Sequence, residues 1–433
     1  MKHIIFTVLL AVLAIASVQA QNPKAEYGAF ALTNATLHTV TNGIIKNATV
    51  LIRDGKIEEI SKQTSFQEDV KVIDCSGKHI FPGMIDGGTR LGLSEVGSVS
   101  LTQDYSEIGD VIPHMEALSA VNPNSALIPV TRVSGVTTVL AAPSGGLFPG
   151  KASLINLHGY TPKQMFAGFS TPVLNFPQSG KRGWWDERTE EEINKANKKT
   201  MEELDDIWQK VAQYHTIDSA NAAGSTSVKL DYYPEMKALL PVYRQEVPLL
   251  VEVNKAKDIK KALEWVKEKN VRAIFTGVSE GFRVAEELAQ AGIPVIVGPV
   301  LSTPSRDYDR FDRPYANPGL MKEAGVKVAI RTMETENVRN LPYNAGFAAA
   351  YGMSKEDALK AITIVPAELF DVADKLGSIE EGKQATLFVS TGHPFETATD
   401  VEHVFIDGWK IPMQSRHTEL YEEFLQRSPG LKK

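Results

Sequence analysis

A chain of 433 residues is long enough for one large α/β domain plus a smaller appendage. Hydrophobic residues make up 43% and charged residues 23%, the ordinary balance of a globular protein. The formal net charge of -7, with no basic run and no interleaving of basic and aromatic residues, argues against a nucleic-acid-binding protein.

Taken in chain order, the first segment reads as an export signal. Lys2 and His3 precede the apolar run Ile4 to Ile15, and Val18-Gln19-Ala20 supplies a small-x-small cleavage pattern, so residues 1–20 are expected to be removed. The run is shorter than the roughly 20 apolar residues a membrane span needs. Cleavage would leave Gln21 first, with no cysteine after the site to carry a lipid anchor. The mature protein is therefore expected in a periplasm or outside the cell, without stable membrane insertion. The single cysteine, Cys75, allows no internal disulfide, and its place in the apparent strand VKVIDCSG marks a buried, inert thiol.

From Tyr27 to Ile80 the pattern is one of short alternating strands: ALTNATLHTV, ATVLIRDGKIEEIS and VKVIDCSGK. Thr41-Asn42-Gly43 and Asp54-Gly55 separate them, the second pair being a strong hairpin signal. Similar strands return near the C-terminus in GKQATLFVSTG and VEHVFIDGWKI, the latter with Asp407-Gly408. Two β-rich flanks around an α/β middle predict a small composite β-sandwich built from residues 21–80 and 372–415. Residues 416–433 are expected as a C-terminal tail, frayed at RSPGLKK.

In the middle, residues 81–371, apolar β-branched runs alternate with helical patterns. The strand candidates are HIFPGMID, GVTTVLAAP, ASLINLHG, STPVLNFP, PLLVEVN, VRAIFTG, IPVIVGP and GVKVAIRT. Near-continuous apolar runs are what parallel strands covered on both faces look like. Between them lie helices such as AKDIKKALEWVKEKN and EGFRVAEELAQAG, with apolar residues at helical spacing. The fold class predicted is α/β, a TIM-type (β/α)8 barrel of parallel strands from about Ile80 to about Phe370. The gap between GVTTVLAAP and ASLINLHG is too short for a helix, so the early barrel is expected to be irregular. Lys181 to Ala222 is charged and helical: either a solvated helix over the barrel, or a lid or partner surface carrying Trp184 and Trp185. Ser354-Lys355-Glu356-Asp357 has the form of a capping box opening the helix EDALKAIT. Ser144-Gly145-Gly146 lacks the G-x-S-x-G pattern of a nucleophile turn and reads as a loop.

Three stretches together resemble the amidohydrolase superfamily, especially its imidazolonepropionase-like branch. They are PGMID at the first barrel strand, AITIVPAELFDVADKLGSIEEGKQATLFV near the end, and the terminal VEHVFIDGWKI. The likeness runs in order from Ala31 to Met413. It implies a metal-dependent hydrolase of carbon–nitrogen bonds other than peptide bonds, in a fold that commonly dimerises. Its ligands to zinc or another divalent metal would lie at the C-terminal ends of strands 1, 4, 5, 6 and 8.

The chain departs from that pattern at the positions that carry the metal. The two strand-1 histidines fall on Gly88 and Arg90. The strand-5 motif falls on Glu252-Val253-Asn254, the strand-6 motif on Thr276-Gly277-Val278, and the strand-8 Gly-Thr-Asp on Arg331-Thr332-Met333. Around strand 4, Gln164 to Gly180 contains no Lys, Asp, Glu, His or Cys. Of nine histidines only His114, His158 and His215 lie in the barrel segment, none in His-x-His spacing. Glycine has no donor, methionine is a soft thioether and arginine a permanent cation, so the family's metal is predicted lost and no cofactor or catalytic residue is assigned.

In its place Arg90, Glu252 and Arg331 are expected to converge on the barrel mouth, with Asn254 beside them and Glu334 as a further acid. The cluster is either a structural ion-pair network or a pocket whose arginines take a small carboxylate ligand. Three functions follow. The first is a non-catalytic partner or scaffold, as a homodimer or as a heteromer with an active paralogue. The second is a soluble binding protein, and the third a hydrolase as the family resemblance implies.

Overall fold

The alternating N-terminal stretch forms β1 (Ala29–His38), β2 (Ile44–Arg53), β3 (Lys56–Ser61), β4 (Val70–Asp74) and β5 (His79–Pro82) in a computed structural model. The structure describes residues 24–181, 186–225 and 231–427. The expected signal segment, Trp184-Trp185 and the end of RSPGLKK after Arg427 lie outside the described residues. β1 is the hub of this sheet, antiparallel to β2 and parallel to both β4 and β5. Asp54 and Gly55 turn β2 into β3 with φ of 51° and 78°, the left-handed pair a two-residue hairpin requires.

Each of the eight barrel segments supplies a strand, β6 (Met84–Thr89), β7 (Val136–Ala141), β8 (Gly150–Asn156), β9 (Phe166–Asn175), β10 (Leu249–Val253), β11 (Ala273–Gly277), β12 (Val295–Val297) and β13 (Val328–Ile330). They are hydrogen-bonded in that sequence from β6 to β13. The expectation that all eight run parallel needs correction: β8 is antiparallel to both β7 and β9. A parallel crossover takes a dozen or more residues, and the link from Ala141 to Gly150 is too short for one, so the chain can only reverse. From β9 to β13 every pairing is parallel. The segment HIFPGMID is also divided: HIFP belongs to the first sheet and MIDGGT to the barrel. Gly83 marks the division, where a Cβ would come 2.1 Å from Thr137 Oγ1.

Where β13 meets β6 the barrel is joined by individual hydrogen bonds. Met333 N–H donates to Gly88 O at 2.9 Å and Arg90 N–H to Glu334 O at 3.0 Å. The Asp86 carboxylate accepts from Thr332 N–H at 3.2 Å, Thr332 Oγ1 at 2.5 Å and Gly88 N–H at 3.0 Å.

Helices cover the barrel where helical periodicity predicts them. Ala256–Glu268 buries Ile259, Ala262, Trp265 and Val266. The long helix Glu190–Ala222 opens with a capping box: Thr189 Oγ1 accepts from Glu192 N–H at 3.2 Å, and Thr189 N–H donates to the Glu192 carboxylate at 2.7 Å. Its apolar stripe, including Leu204, Ile207, Trp208 and Val211, is buried, and Trp208 meets Trp265 edge-on at 5.4 Å. It is thus a barrel-covering helix with a solvated outer face. Ser354 Oγ accepts from Asp357 N–H at 3.0 Å and opens Lys355–Lys360.

After the barrel, β14 (Leu387–Ser390), β15 (Val401–Ile406) and β16 (Trp409–Ile411) return to the first sheet, β14 pairing antiparallel with β5. The second Asp-Gly turn, Asp407-Gly408, has φ of 53° and 78° and packs against the first. A Cβ on Gly408 would lie 2.3 Å from Gly55 Cα, so the two ends of the chain meet turn to turn. The composite unit is one branched eight-stranded sheet around its own core of Phe30, Leu32, Ile52, Leu387 and Phe405. Cys75 sits in that core, where burial pushes its thiol up to about 11, so it carries no reactive thiolate at neutral pH. The stretch expected as a tail begins instead with a helix, Arg416–Gln426, capped by Ser415.

Candidate functional site

Parallel strands β10 and β11 place Glu252 directly beside Thr276, with both side chains on the inner face at the C-terminal end of the barrel. Thr276 Oγ1 donates to Glu252 Oε2 at 2.7 Å, and Asn254 Nδ2, two residues along the same face, donates to Oε1 at 3.0 Å. Arg331 follows β13 and reaches across the mouth, donating from Nη1 to Oε2 at 2.7 Å and from Nη2 to Oε1 at 2.9 Å. Its Nε donates to Gly298 O at 3.3 Å. The result is a bidentate, charge-matched pair with only 6% of the Arg331 side chain and 21% of the Glu252 side chain exposed. Burial alone would push the Glu252 carboxyl up, but the Arg331 charge and the donated hydrogen bonds outweigh it and hold the group below its ordinary value.

Two glycines make the room for this pair. At Gly88, the position of the family's first strand-1 histidine, a Cβ would lie 3.0 Å from Arg331 Cδ. At Gly277, a Cβ would lie 2.5 Å from Asn254 Oδ1 and 2.6 Å from Glu252 Oε1. The arginine stem therefore occupies the space beside β6 into which a side chain at position 88 would project.

The structure brings Glu252, Asn254 and Arg331 together and leaves the other two expected members out. Arg90 lies one residue past the end of β6, where its N–H is held by Glu334 O and the chain turns away. Its guanidinium lies over the Tyr105 ring at 4.1 Å, and its buried Nε has no hydrogen-bond partner. Glu334 does not supply the extra negative charge. Met333 takes a left-handed backbone (φ 54°), and Glu334 beyond it is exposed, contributing only its backbone: its carbonyl accepts from Arg90 N–H and its N–H donates to Thr332 Oγ1 at 3.3 Å.

Two residues that sequence reasoning left without a role, Asp86 and Thr332, form the seam at the foot of the site. Asp86 is fully buried, and burial pushes its carboxyl up to about 6 despite the hydrogen bonds from Thr332 and Gly88. The available signal was its place within PGMID, two residues before Gly88. Thr276 was legible as the first position of the strand-6 motif, but not as a partner of Glu252.

These donors do not fit a divalent metal. Glu252 is the sole strand-end carboxylate in the cluster, and both its oxygens are engaged by a permanent cation. Among the described residues no group of three or more His, Cys, Asp or Glu side chains is placed to hold a metal ion.

Comparison with known proteins agrees with this barrel. An amidohydrolase from Thermotoga maritima MSB8 has a TM-score of 0.76 at 26% identity, covering 88% of this chain and 99% of its own. A prolidase solved with N-methylphosphonate-L-proline gives 0.54 at 15% identity over 89% of this chain and 100% of that one. A Xaa-Pro dipeptidase with methionine bound in its active site gives 0.52 at 16% identity, again over 89% and 100%. The last two likenesses concern the fold alone. No curated protein matches the sequence. The amidohydrolase family profile matches residues 133–410, well over half of the chain, and the protein belongs to that family.

Proposed function

We propose that this chain is a non-catalytic member of the amidohydrolase family, exported from the cytoplasm and acting as partner or scaffold of an active homologue. The observation that carries the reading is the Arg331–Glu252 pair, which takes up the strand-end space and both oxygens of the acid there. A carboxylate that accepts from Arg331, Thr276 and Asn254, and whose pKa is lowered, retains little basicity to activate water. Asp86 is closer to neutral pH but has no exposed surface and is tied to Thr332.

The competing reading is the family's hydrolysis of carbon–nitrogen bonds. One experiment decides between them: metal analysis by plasma mass spectrometry on gently purified protein, with amide and dipeptide hydrolysis assayed before and after chelation. The expected result is no stoichiometric zinc, manganese or iron and no hydrolysis above background. A metal-to-protein ratio near one, lost together with activity on chelation, overturns the proposal. The partner role is tested by co-expression with a homologue that keeps His-x-His and the strand-8 Asp, where a stable heteromer is expected.

A further inference from the structure

Beside the ion pair lies a second feature, a cavity of about 110 Å³ between the ends of β10, β11 and β12 and the loop that follows β12. It shares Asn254, Gly277 and Gly298 with the surroundings of the Arg331–Glu252 pair. Its walls include Phe282, Val297, Pro299, Pro304 and Pro314. Ser279, Thr303 and Ser305, all exposed, mark its opening to solvent.

The electrostatics of this cavity are unbalanced in one direction. Its charged lining residues are Asp309 and Arg313. Asp309 is hydrogen-bonded and ion-paired to Arg283, which lies outside the cavity lining. Arg313 pairs with no acid among the described residues, and its guanidinium lies 5.4 Å from the Phe282 ring centroid. The serine hydroxyls are already spent as donors: Ser279 to Asn254 O at 3.4 Å, Ser302 to Pro299 O at 3.0 Å, and Ser305 to Glu280 Oε1 at 3.2 Å. An uncompensated guanidinium, serine donors already engaged, the Thr303 hydroxyl at the rim as a further donor, and walls of proline, valine and phenylalanine together select an acceptor-rich anion with a compact apolar body.

We propose that this cavity binds a small monocarboxylate, its carboxylate on Arg313 and its body against Phe282 and the proline walls. The size fits: a dry cavity of roughly 150 Å³ holds benzene, so about 110 Å³ takes a short branched or small cyclic acid. The site is distinct from the arginine-lined mouth expected from sequence, because Arg331 is neutralised by Glu252 and Arg90 is stacked on Tyr105. It does not depend on whether the strand-end metal is lost.

The test is calorimetric titration of the full chain with acetate, isobutyrate and benzoate, with the matching amides and inorganic phosphate as controls, each with and without EDTA. Saturable binding of isobutyrate is expected, unaffected by EDTA and absent for the amides, whereas benzoate, larger than the benzene that takes roughly 150 Å³, should bind more weakly or not at all. Arg313→Met should weaken it by about tenfold or more, while Arg90→Met leaves it unchanged. Should Arg313→Met fold poorly, Thr303→Trp at the exposed rim, which occupies the cavity while keeping the Arg313 charge, should abolish binding. No saturable binding, undiminished binding in Arg313→Met or Thr303→Trp, or phosphate binding tighter than any carboxylate overturns this site alone. Binding that EDTA removes places the carboxylate on a metal and overturns both this site and the non-catalytic reading.

Discussion

Replacing Glu252 by glutamine removes the counter-charge of Arg331 while keeping the side-chain shape. The arginine side chain is only 6% exposed, so its charge is left almost wholly desolvated. Breaking a buried ion pair costs about 3–5 kcal/mol. Two features pull the expected value to the lower end. Glu252 is 21% exposed, so water reaches part of the site, and the glutamine Oε1 still accepts one hydrogen bond from the guanidinium. We expect a loss of about 2–3 kcal/mol at neutral pH. For a chain of this size unfolding as one unit, that moves Tm by only a few degrees, about 1 °C per kcal/mol. The urea midpoint is therefore the better readout. A double-mutant cycle isolates the pair: Arg331→Met alone should also destabilise, whereas Glu252→Gln with Arg331→Met should cost much less than the sum of the two single variants, giving a coupling energy of about 2–3 kcal/mol. The pH dependence has a definite sign. Because the folded pKa of Glu252 is lowered, its stabilisation is present above the unfolded value and is lost as pH falls through the folded one. The gap between wild type and Glu252→Gln should therefore close in acid. Equal stabilities at pH 7, or a cycle with no coupling, would refute the view that this pair is what holds the barrel mouth.

Three further outcomes are expected. Gly88→His, which restores the family's first strand-1 histidine, should destabilise the fold and create no metal site, since even a Cβ there lies 3.0 Å from Arg331 Cδ; zinc binding by this single variant would contradict that packing. Asp86 has a folded pKa raised from 3.8 to about 6, so its contribution to stability is full below the unfolded value and is lost as pH rises through about 6. Between pH 4 and pH 7.5 the wild type should lose about 2.4 kcal/mol relative to Asp86→Asn in urea titrations, and parallel pH profiles would count against a buried carboxyl with a raised pKa. Thr189→Ala, which removes the cap of the helix Glu190–Ala222, should cost about 1 kcal/mol in the same assay; no loss would mean that the first turn contributes little to the packed state.

Local chemistry alone determined a good deal of this protein. Hairpin turns at Asp54-Gly55 and Asp407-Gly408 need left-handed backbone, and both adopt it, so the strands flanking them could be placed before any fold was known. Strands covered on both faces must be apolar throughout, and all eight barrel segments were visible for that reason. The composite nature of the first sheet followed from finding the same alternating pattern at both ends of the chain. The residue types at the aligned strand ends, Gly88, Arg90, Glu252, Asn254 and Arg331, could also be read directly, because residue identity needs no fold.

What only the tertiary structure decided is direction and partnership. The reversal of β8 depends on whether a connection can span the barrel, and strand periodicity is the same in either direction. Sequence placed Arg90, Arg331, Glu252 and Glu334 near one mouth, but which pair forms depends on where strands end and how the backbone leaves them. β6 stops at Thr89, so Arg90 turns to Tyr105, and Met333 turns left-handed, so Glu334 faces solvent. Arg331 and Glu252 remain on facing strand ends with Gly88 and Gly277 giving them space. Asp86 was conspicuous within its motif, yet its partner Thr332 lies 246 residues away, and no local rule connects residues across the seam of a closed barrel.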